Sequence, residues 1–159
     1  MAPVKGYWEQ PGQFNEALVQ LRTVIRELPE RVKALTTDEM MAREPGKWSK
    51  KEVLGHLIDS ALNNLKRFSD AQTQPSPYRL QPYDQNRLVE INRYQDLSLD
   101  HLLVLWQALN QQIVYVVEIM AETERRKEVA LPGAGERVTL SWIFEDYVGH
   151  LEHHLKQIF

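Results

Sequence analysis

Apolar residues recur every three or four positions over four long segments of this chain, and this spacing constrains the fold more than any other feature of the sequence. A stripe with that period is typical of a helix with one buried side. The segments are residues 14–35, the stretch from Ser49 to about "QTQPSP", the stretch from Ser98 to about Glu122, and residues 139–159. Pro29 lies inside the first segment and predicts a kink or a break there. Four such helices predict an all-α four-helix bundle.

The connections between the predicted helices differ in length and composition. The second, "PSPYRLQPYDQNRLVEINRYQDLS", is rich in Pro, Tyr and Arg and contains one short helical stretch around Asp84–Ile91. Its length allows a crossover, so simple up-down-up-down order does not follow. The third connection is turn-rich, and Glu128–Leu131 and Arg137–Thr139 are expected to form at most short extended pieces.

Composition limits the class of protein. The 159 residues suffice for a single domain over residues 1–159, and the net charge of −3 gives no general attraction to nucleic acid or an anionic membrane. The absence of cysteine excludes thiolate ligands and a thiol nucleophile from the chain itself. No apolar run is long enough to span a bilayer, and the N-terminal residues lack the apolar core of a signal peptide. We therefore expect a cytoplasmic protein.

Three histidines occupy positions that suit a shared ligand. His150 and His154 are one helical turn apart, on the side of the last helix that carries its apolar stripe. Two imidazoles with this spacing can bind one metal ion, and His56 in "VLGHLIDS" offers a third ligand. Gly55 would allow a close approach of helices beside it. His153 lies on the other flank of His150 and is expected to be solvated, and His101 to be a surface residue at a helix start.

A polar edge runs beside the apolar stripe of the second helix for about four turns, as if it lined a cavity. The residues along it are Glu52, His56, Ser60 or Asp59, Asn63 and Arg67. The alternative interpretation is that the histidines are ordinary core residues. Other chemistries fit less well, because a zincin needs Glu where Leu151 stands and a di-iron bundle needs Glu-x-x-His motifs that the sequence lacks. No nucleophile elbow or phosphate loop is present.

Three blocks of the sequence together resemble the DinB/YfiT family of bacterial four-helix proteins. They are "EPGKWSKKEVLGHLIDSALNNLKRF", "QPYDQNRL" and "TLSWIFEDYVGHLEHHLKQI", and the resemblance covers about residues 25–159. It implies a four-helix bundle with a crossover connection and one divalent metal ion bound by three histidines. The matching positions are His56, in the "W-S-x-x-E-x-x-x-H-x-x-D-S" block, and His150 and His154 in the C-terminal "H-x-x-x-H".

The resemblance also implies which residues surround the metal. Asp59 matches the acidic residue that follows the first ligand in the family. The positions that flank the cavity in the family correspond to Asn63, Arg67, Tyr83 and Asp84. From helical spacing, Asp59 and Asp146 are candidate acceptors for the second ring nitrogens of the histidines, and Tyr147 faces the bundle beside them. The metal is expected to be Zn or Ni, since imidazole accepts several metals.

The resemblance implies an activity less sharply than a site. Relatives include thiol transferases and isomerases that use bacillithiol or mycothiol, and hydrolases named only by inference. The hypothesis is a metal-dependent S-transferase or hydrolase that acts on a small molecule, with any low-molecular-weight thiol supplied as a cosubstrate. The alternative is a non-catalytic stress-response or binding protein with a structural or vestigial metal site. A homodimer is also expected, because Trp106, Val114 and Val117 do not obviously face one core.

Overall fold

The structure is a computed structural model that describes residues 5–8, 12–133 and 135–159. Four long helices dominate it, joined by short helices and strands. In chain order the elements are α1 (Phe14–Lys33), α2 (Thr37–Met41), α3 (Lys50–Thr73), β1 (Tyr78–Arg79), α4 (Gln85–Asn92), a 3-10 turn (Tyr94–Asp96), α5 (Leu99–Glu118), α6 (Glu122–Arg125), β2 (Glu128–Ala130), β3 (Arg137–Thr139) and α7 (Leu140–Ile158).

The four long helices form a bundle, which confirms the predicted fold class. Helices α3 and α1 each pack against both α5 and α7, so α1 and α3 occupy opposite corners. Of the long helices, α1 and α3 are therefore diagonal although they are consecutive in sequence, and so are α5 and α7, whereas α3 and α5 are adjacent. The first and third connections must therefore cross the bundle. This order places α3 directly beside α7, as the predicted metal site requires.

Helix α1 corrects one expectation from the sequence, because it continues through Pro29 to Lys33 without a break. A proline removes the backbone hydrogen bond to the carbonyl four residues earlier. Here that carbonyl belongs to Ile25, and it accepts a hydrogen bond of 3.2 Å from Nε2 of Gln107 on α5. A side chain of the neighbouring helix α5 thus satisfies the carbonyl that Pro29 leaves without a partner. Only the last turn of α1 follows Pro29.

Helix α3 begins at a capping box. The Ser49 hydroxyl accepts from the backbone N–H of Glu52 at 3.1 Å, and the Glu52 carboxylate accepts from the backbone N–H of Ser49 at 2.9 Å. The same carboxylate is bonded to Arg43. Burial raises the pKa of Glu52, but the hydrogen bonds from Arg43 and Ser49 outweigh it and hold the pKa below its usual range. The first turn of the helix that carries His56 is thereby fixed.

A small three-stranded sheet accompanies the bundle, with β3 in contact with α7. Strand β2 pairs in parallel with β1 and antiparallel with β3. Strands β2 and β3 fall where the sequence indicated short extended pieces, whereas β1 was not anticipated. The predicted short helix is also present as α4, with Asp84 as its N-cap residue.

Helix α5 corrects the argument for a homodimer without testing the homodimer itself. Trp106 and Val117 are fully buried in one core, and Val114 packs partly against it. The large apolar residues exposed along α5 and at its C-cap are Val104, Leu105, Tyr115 and Ile119. The homodimer stays a prediction. No helix within the described ranges is long and apolar enough to cross a membrane.

Candidate metal centre

Three imidazoles converge at the contact between α3 and α7. Nε2 of His150 lies 3.2 Å from Nε2 of His56 and 3.1 Å from Nε2 of His154. One nitrogen of each ring lies within 4.8 Å of the other two, and within the described residues this is the one group of ligand side chains that could hold a metal ion. His56 and His154 are buried and His150 is half-buried. The structure therefore brings together the three histidines that the sequence selected.

The separation of these nitrogens fits a shared divalent ion. Tetrahedral ligands at the usual Zn–N distance of about 2.0–2.1 Å stand about 3.3 Å apart. The two measured Nε2 separations, 3.1 and 3.2 Å, are close to that value. Ring nitrogens at these distances repel one another unless a proton or a cation lies between them. The donor set thus suits Zn or Ni bound by three neutral nitrogens.

The outer nitrogen of two of the rings is oriented by a hydrogen bond. Nδ1 of His154 lies 3.0 Å from the amide oxygen of Gln157, which only accepts, so Nδ1 carries the proton and leaves Nε2 free as a ligand. Nδ1 of His150 lies 3.4 Å from the hydroxyl of Ser60. Nδ1 of His56 is buried with no hydrogen-bond partner among the described residues. Such outer contacts hold a metal-binding imidazole in its orientation.

Burial keeps the three rings neutral at physiological pH. Burial and the nearby His154 lower the pKa of His56 to about 4. Burial and the neighbouring His154 and His56 lower the pKa of His150 to about 3. Burial also lowers the pKa of His154, although its contact with Gln157 acts in the opposite direction. The rings are thus in the form that binds metal ions, and no proton has to leave first.

Two aromatic side chains flank the histidines. The ring of Trp48, in the loop before α3, lies 4.9 Å from the His56 ring and 6.5 Å from the His154 ring. On another side, the ring of Tyr7 meets His150 edge-on at 5.1 Å. Both cover part of the surface of the histidine rings. The sequence analysis selected neither residue, although Trp48 lies in the block that carries the family resemblance.

Neither predicted carboxylate acceptor is hydrogen-bonded to a histidine in the structure, although Oδ2 of Asp59 and Nδ1 of His56 are both buried without a partner among the described residues. Asp59 accepts hydrogen bonds from the Tyr94 hydroxyl at 2.5 Å and from Nδ2 of Asn92 at 2.9 Å. Asp146 accepts from the backbone N–H of Tyr7 at 2.6 Å. Burial raises the pKa of both carboxyls, partly offset by these bonds. Within the described chain, Ser60 and Gln157 contact the outer ring nitrogens instead.

A cavity of about 370 Å³ opens beside His150. Of the residues predicted to flank the site, Arg67, Tyr83, Asp146 and Tyr147 line this cavity. The Tyr147 hydroxyl is turned into the core, where it donates to Asn110 at 2.5 Å.

Two other predicted residues point elsewhere. Asn63 donates to the backbone carbonyl of Asp59 at 2.8 Å, and Asp84 caps α4 by accepting from the backbone N–H of Arg87 at 3.0 Å. Neither is among the residues that line the cavity. The structure thus places both residues outside the lining of this cavity. Asp84 is exposed at the start of a helix, where a capping role explains its residue type.

The sequence model of the DinB superfamily matches residues 20–158, and the chain belongs to this superfamily. The class that the bundle and the histidine cluster define is therefore that of the DinB-like helical proteins. Among curated relatives, a protein of Geobacillus thermodenitrificans is 25% identical over 159 residues, which cover 96% of this chain and 89% of the relative. YfiT of Bacillus subtilis is 26% identical over 140 residues, with 85% and 78% coverage. The names of both assign them provisionally to the metal-dependent hydrolases.

Solved structures with the same fold include that of YfiT from Bacillus subtilis, described as a bundle of four helices with unusual topology. It superposes with a TM-score of 0.83 at 23% identity and covers 99% of this chain and 89% of YfiT. A mycothiol-dependent maleylpyruvate isomerase superposes with a TM-score of 0.66 at 16% identity. In that case the match covers 96% of this chain but 62% of the isomerase. At these identities the structures establish the fold alone.

Proposed function

We propose that this protein is a metal-dependent enzyme that acts on a small molecule, with one divalent ion held by His56, His150 and His154. The observation that carries the proposal is the convergence of three neutral Nε2 atoms, two of the separations being 3.1 and 3.2 Å. Among the described residues the cluster contains no fourth protein ligand. Structural zinc sites have four protein ligands, whereas catalytic sites keep a position open. This argues against a purely structural or vestigial site.

We further propose that the reaction is the transfer of a thiol to an electrophilic small molecule. When bound, a divalent ion supplies a positive charge that lowers the pKa of a coordinated thiol or water. Activation of water for hydrolysis also calls for a nearby general base, and Asp146, which lines the cavity beside His150, already accepts from the backbone N–H of Tyr7. A thiol needs less help, since its own pKa is much lower than that of water.

The residues of the chain have separate roles in this proposal. His56, His150 and His154 bind the ion, and Ser60 and Gln157 orient two of these rings. Trp48 and Tyr7 cover part of the surface of the histidine rings. Because the chain has no cysteine, the thiol must come from solution as a cosubstrate. Hydrolysis is the second candidate, favoured by the names of the curated relatives.

The test begins with metal content. Purified protein is supplemented with Zn²⁺ or Ni²⁺, dialysed and assayed for bound metal, and then for conjugation of a bimane electrophile with a low-molecular-weight thiol. We expect one ion per chain and conjugation that disappears with a chelator. The matched pair is His150→Ala and His153→Ala, since His153 is the exposed histidine on the same helix. Loss of metal and conjugation in the first variant alone supports the proposal; an empty wild-type site after supplementation contradicts it.

A further inference from the structure

Three contacts fix the side chain of Arg67 at the cavity beside His150. One guanidinium nitrogen, Nη2, donates to the backbone carbonyl of Gln81 at 2.7 Å, and Nη1 donates to the amide oxygen of Asn64 at 3.4 Å. The ring of Tyr83 lies 5.4 Å from the guanidinium carbon. These contacts use two of the five N–H groups of an arginine. The orientation of the guanidinium is therefore set, while most of its donors have no partner among the described residues.

No carboxylate of a described residue forms an ion pair with Arg67. Arg22, Arg43 and Arg87 form ion pairs with glutamates, whereas the described partners of Arg67 are neutral. It is also half-buried. Burial lowers the pKa of Arg67, although the nearby tyrosines and Asp146 act in the opposite direction. A charge that is desolvated and unpaired is costly, and a bound anion would relieve that cost.

The other charged side chains that line the cavity include both positive and negative groups. Lys5 adds a second positive charge, and Asp146 and Glu136 add negative ones. Asp146 is already bonded to the backbone of Tyr7. The volume of about 370 Å³ suits a small molecule. An ion held by the histidines would make the total charge at this end of the cavity positive.

Arg67 lies in the same cavity as a residue of the histidine cluster, and Tyr83 and Ser60 line that cavity with them. The Ser60 hydroxyl lies 3.4 Å from Nδ1 of His150. Tyr83 thus contacts the guanidinium and faces the cavity that Ser60 shares with His150. The anion-binding group and the ligand cluster are parts of one cavity.

We propose that this cavity binds a carboxylate group of the small-molecule substrate, with Arg67 as the residue that binds it. The proposal rests on the function proposed above, since it places the reacting end of the molecule at the histidines and its anionic end at Arg67. A planar guanidinium with free N–H groups matches a carboxylate in two-point contact. The carboxylate can belong to the thiol or to the second substrate, and each origin has its own test.

The experiment compares ligands that differ only in the carboxylate. Zinc-loaded protein is titrated calorimetrically with 3-mercaptopropionate and with 3-mercapto-1-propanol for the thiol, and with succinamate and succinamide for a non-thiol substrate. We expect at least one carboxylate to bind 10-fold or more tightly than its neutral partner. In Arg67→Gln this preference should vanish, whereas Arg79→Gln, which removes an exposed arginine from β1, should keep it.

The outcomes separate this proposal from the proposed function. If Arg67→Gln still binds the carboxylate more tightly than its neutral partner, the carboxylate contacts the metal and not Arg67. If wild type binds both members of each pair equally, no anion site exists. Either result overturns the inference. If zinc does not bind, the proposed function fails. A comparison of the affinities of the metal-free protein for succinamate and for succinamide then still decides the role of Arg67. If Arg67→Gln does not fold, Arg67→Lys replaces it. Protection of Arg67 from phenylglyoxal by succinamate then serves as a readout on wild-type protein, and no protection counts against the inference.

Discussion

The Nε2 atoms of His56 and His150 lie 3.2 Å apart, although 94 positions separate the two residues in the chain. Only the packing of α3 against α7 brings them together, because α3 carries His56 and α7 carries His150 and His154. The site is therefore a product of the bundle order, in which α3 and α7 are neighbours and α1 lies diagonally opposite α3. Metal affinity then depends on residues that orient the rings as well as on the rings themselves.

The first prediction concerns those orienting residues. Gln157→Ala and Ser60→Ala should each weaken Zn²⁺ affinity about 10-fold or more, since each loses a contact to an outer ring nitrogen. Asp59→Asn should leave the affinity nearly unchanged, because Asp59 is bonded to Tyr94 and Asn92 instead. Competition with a fluorescent zinc chelator measures all three. A large loss in Asp59→Asn together with none in Gln157→Ala would reverse the assignment.

The second prediction concerns pH and the metal-free protein. The folded-state pKa of His56 is about 4, below its ordinary value of 6.5. Protonation therefore favours the unfolded chain, and stability is full above about pH 6.5 and is lost progressively as the pH falls towards 4. Between pH 7.5 and 4.5 this residue alone should cost about 2.5 kcal/mol of unfolding free energy.

Urea unfolding in the presence of a chelator measures that cost. His56→Leu should show a smaller loss of stability on acidification than wild type. His101→Gln, which removes an exposed histidine at the start of α5, should follow wild type. Identical pH dependence in wild type and His56→Leu would contradict the prediction.

The third prediction concerns the close contact between α3 and the 3-10 turn. A Cβ added at Gly55 would lie 2.1 Å from the ring of Tyr94, whose hydroxyl holds Asp59. Gly55→Ala should therefore destabilise the protein by about 2 kcal/mol or more, because the ring has to move. Ser69→Ala, at an exposed position of the same helix, is the control. Equal urea midpoints for the two variants would show that the turn moves freely.

The fourth prediction is the homodimer. Helix α5 exposes Val104, Tyr115 and Ile119, with 68%, 59% and 66% of their surfaces accessible. Apolar residues this exposed on one helix favour a partner surface. We expect a dimer by light scattering at micromolar concentration, and a monomer for Ile119→Lys. A monomeric wild type rules out the homodimer.

The sequence was sufficient to predict the long helices because each has one periodic apolar side, and that period depends only on local geometry. It was sufficient for His150 and His154 as a pair for the same reason. Pro29 misled the prediction because the compensating contact comes from Gln107, 78 positions further along the chain. A local pattern contains no information about such a partner.

The surroundings of the histidines were harder to predict than the histidines themselves. Asp59 has the spacing of an acceptor for His56, but Tyr94 and Asn92 take its Oδ1 atom. Tyr94 reaches it because Gly55 leaves room for the aromatic ring. Which groups bond to Asp59 depends on how the connection between α3 and α5 folds against α3, and the periodicity of the long helices does not describe that contact.

The tilted contact between the rings of Trp48 and His56, with centroids 4.9 Å apart, makes the indole an optical reporter of the histidine cluster. Indole emission is sensitive to nearby charge and is quenched by paramagnetic ions at short range. Binding of Ni²⁺ or Cu²⁺ between the three rings therefore dims this tryptophan far more than the buried Trp106 of α5. Occupancy of the cluster can be followed in real time by its intrinsic fluorescence, with no label attached to the chain.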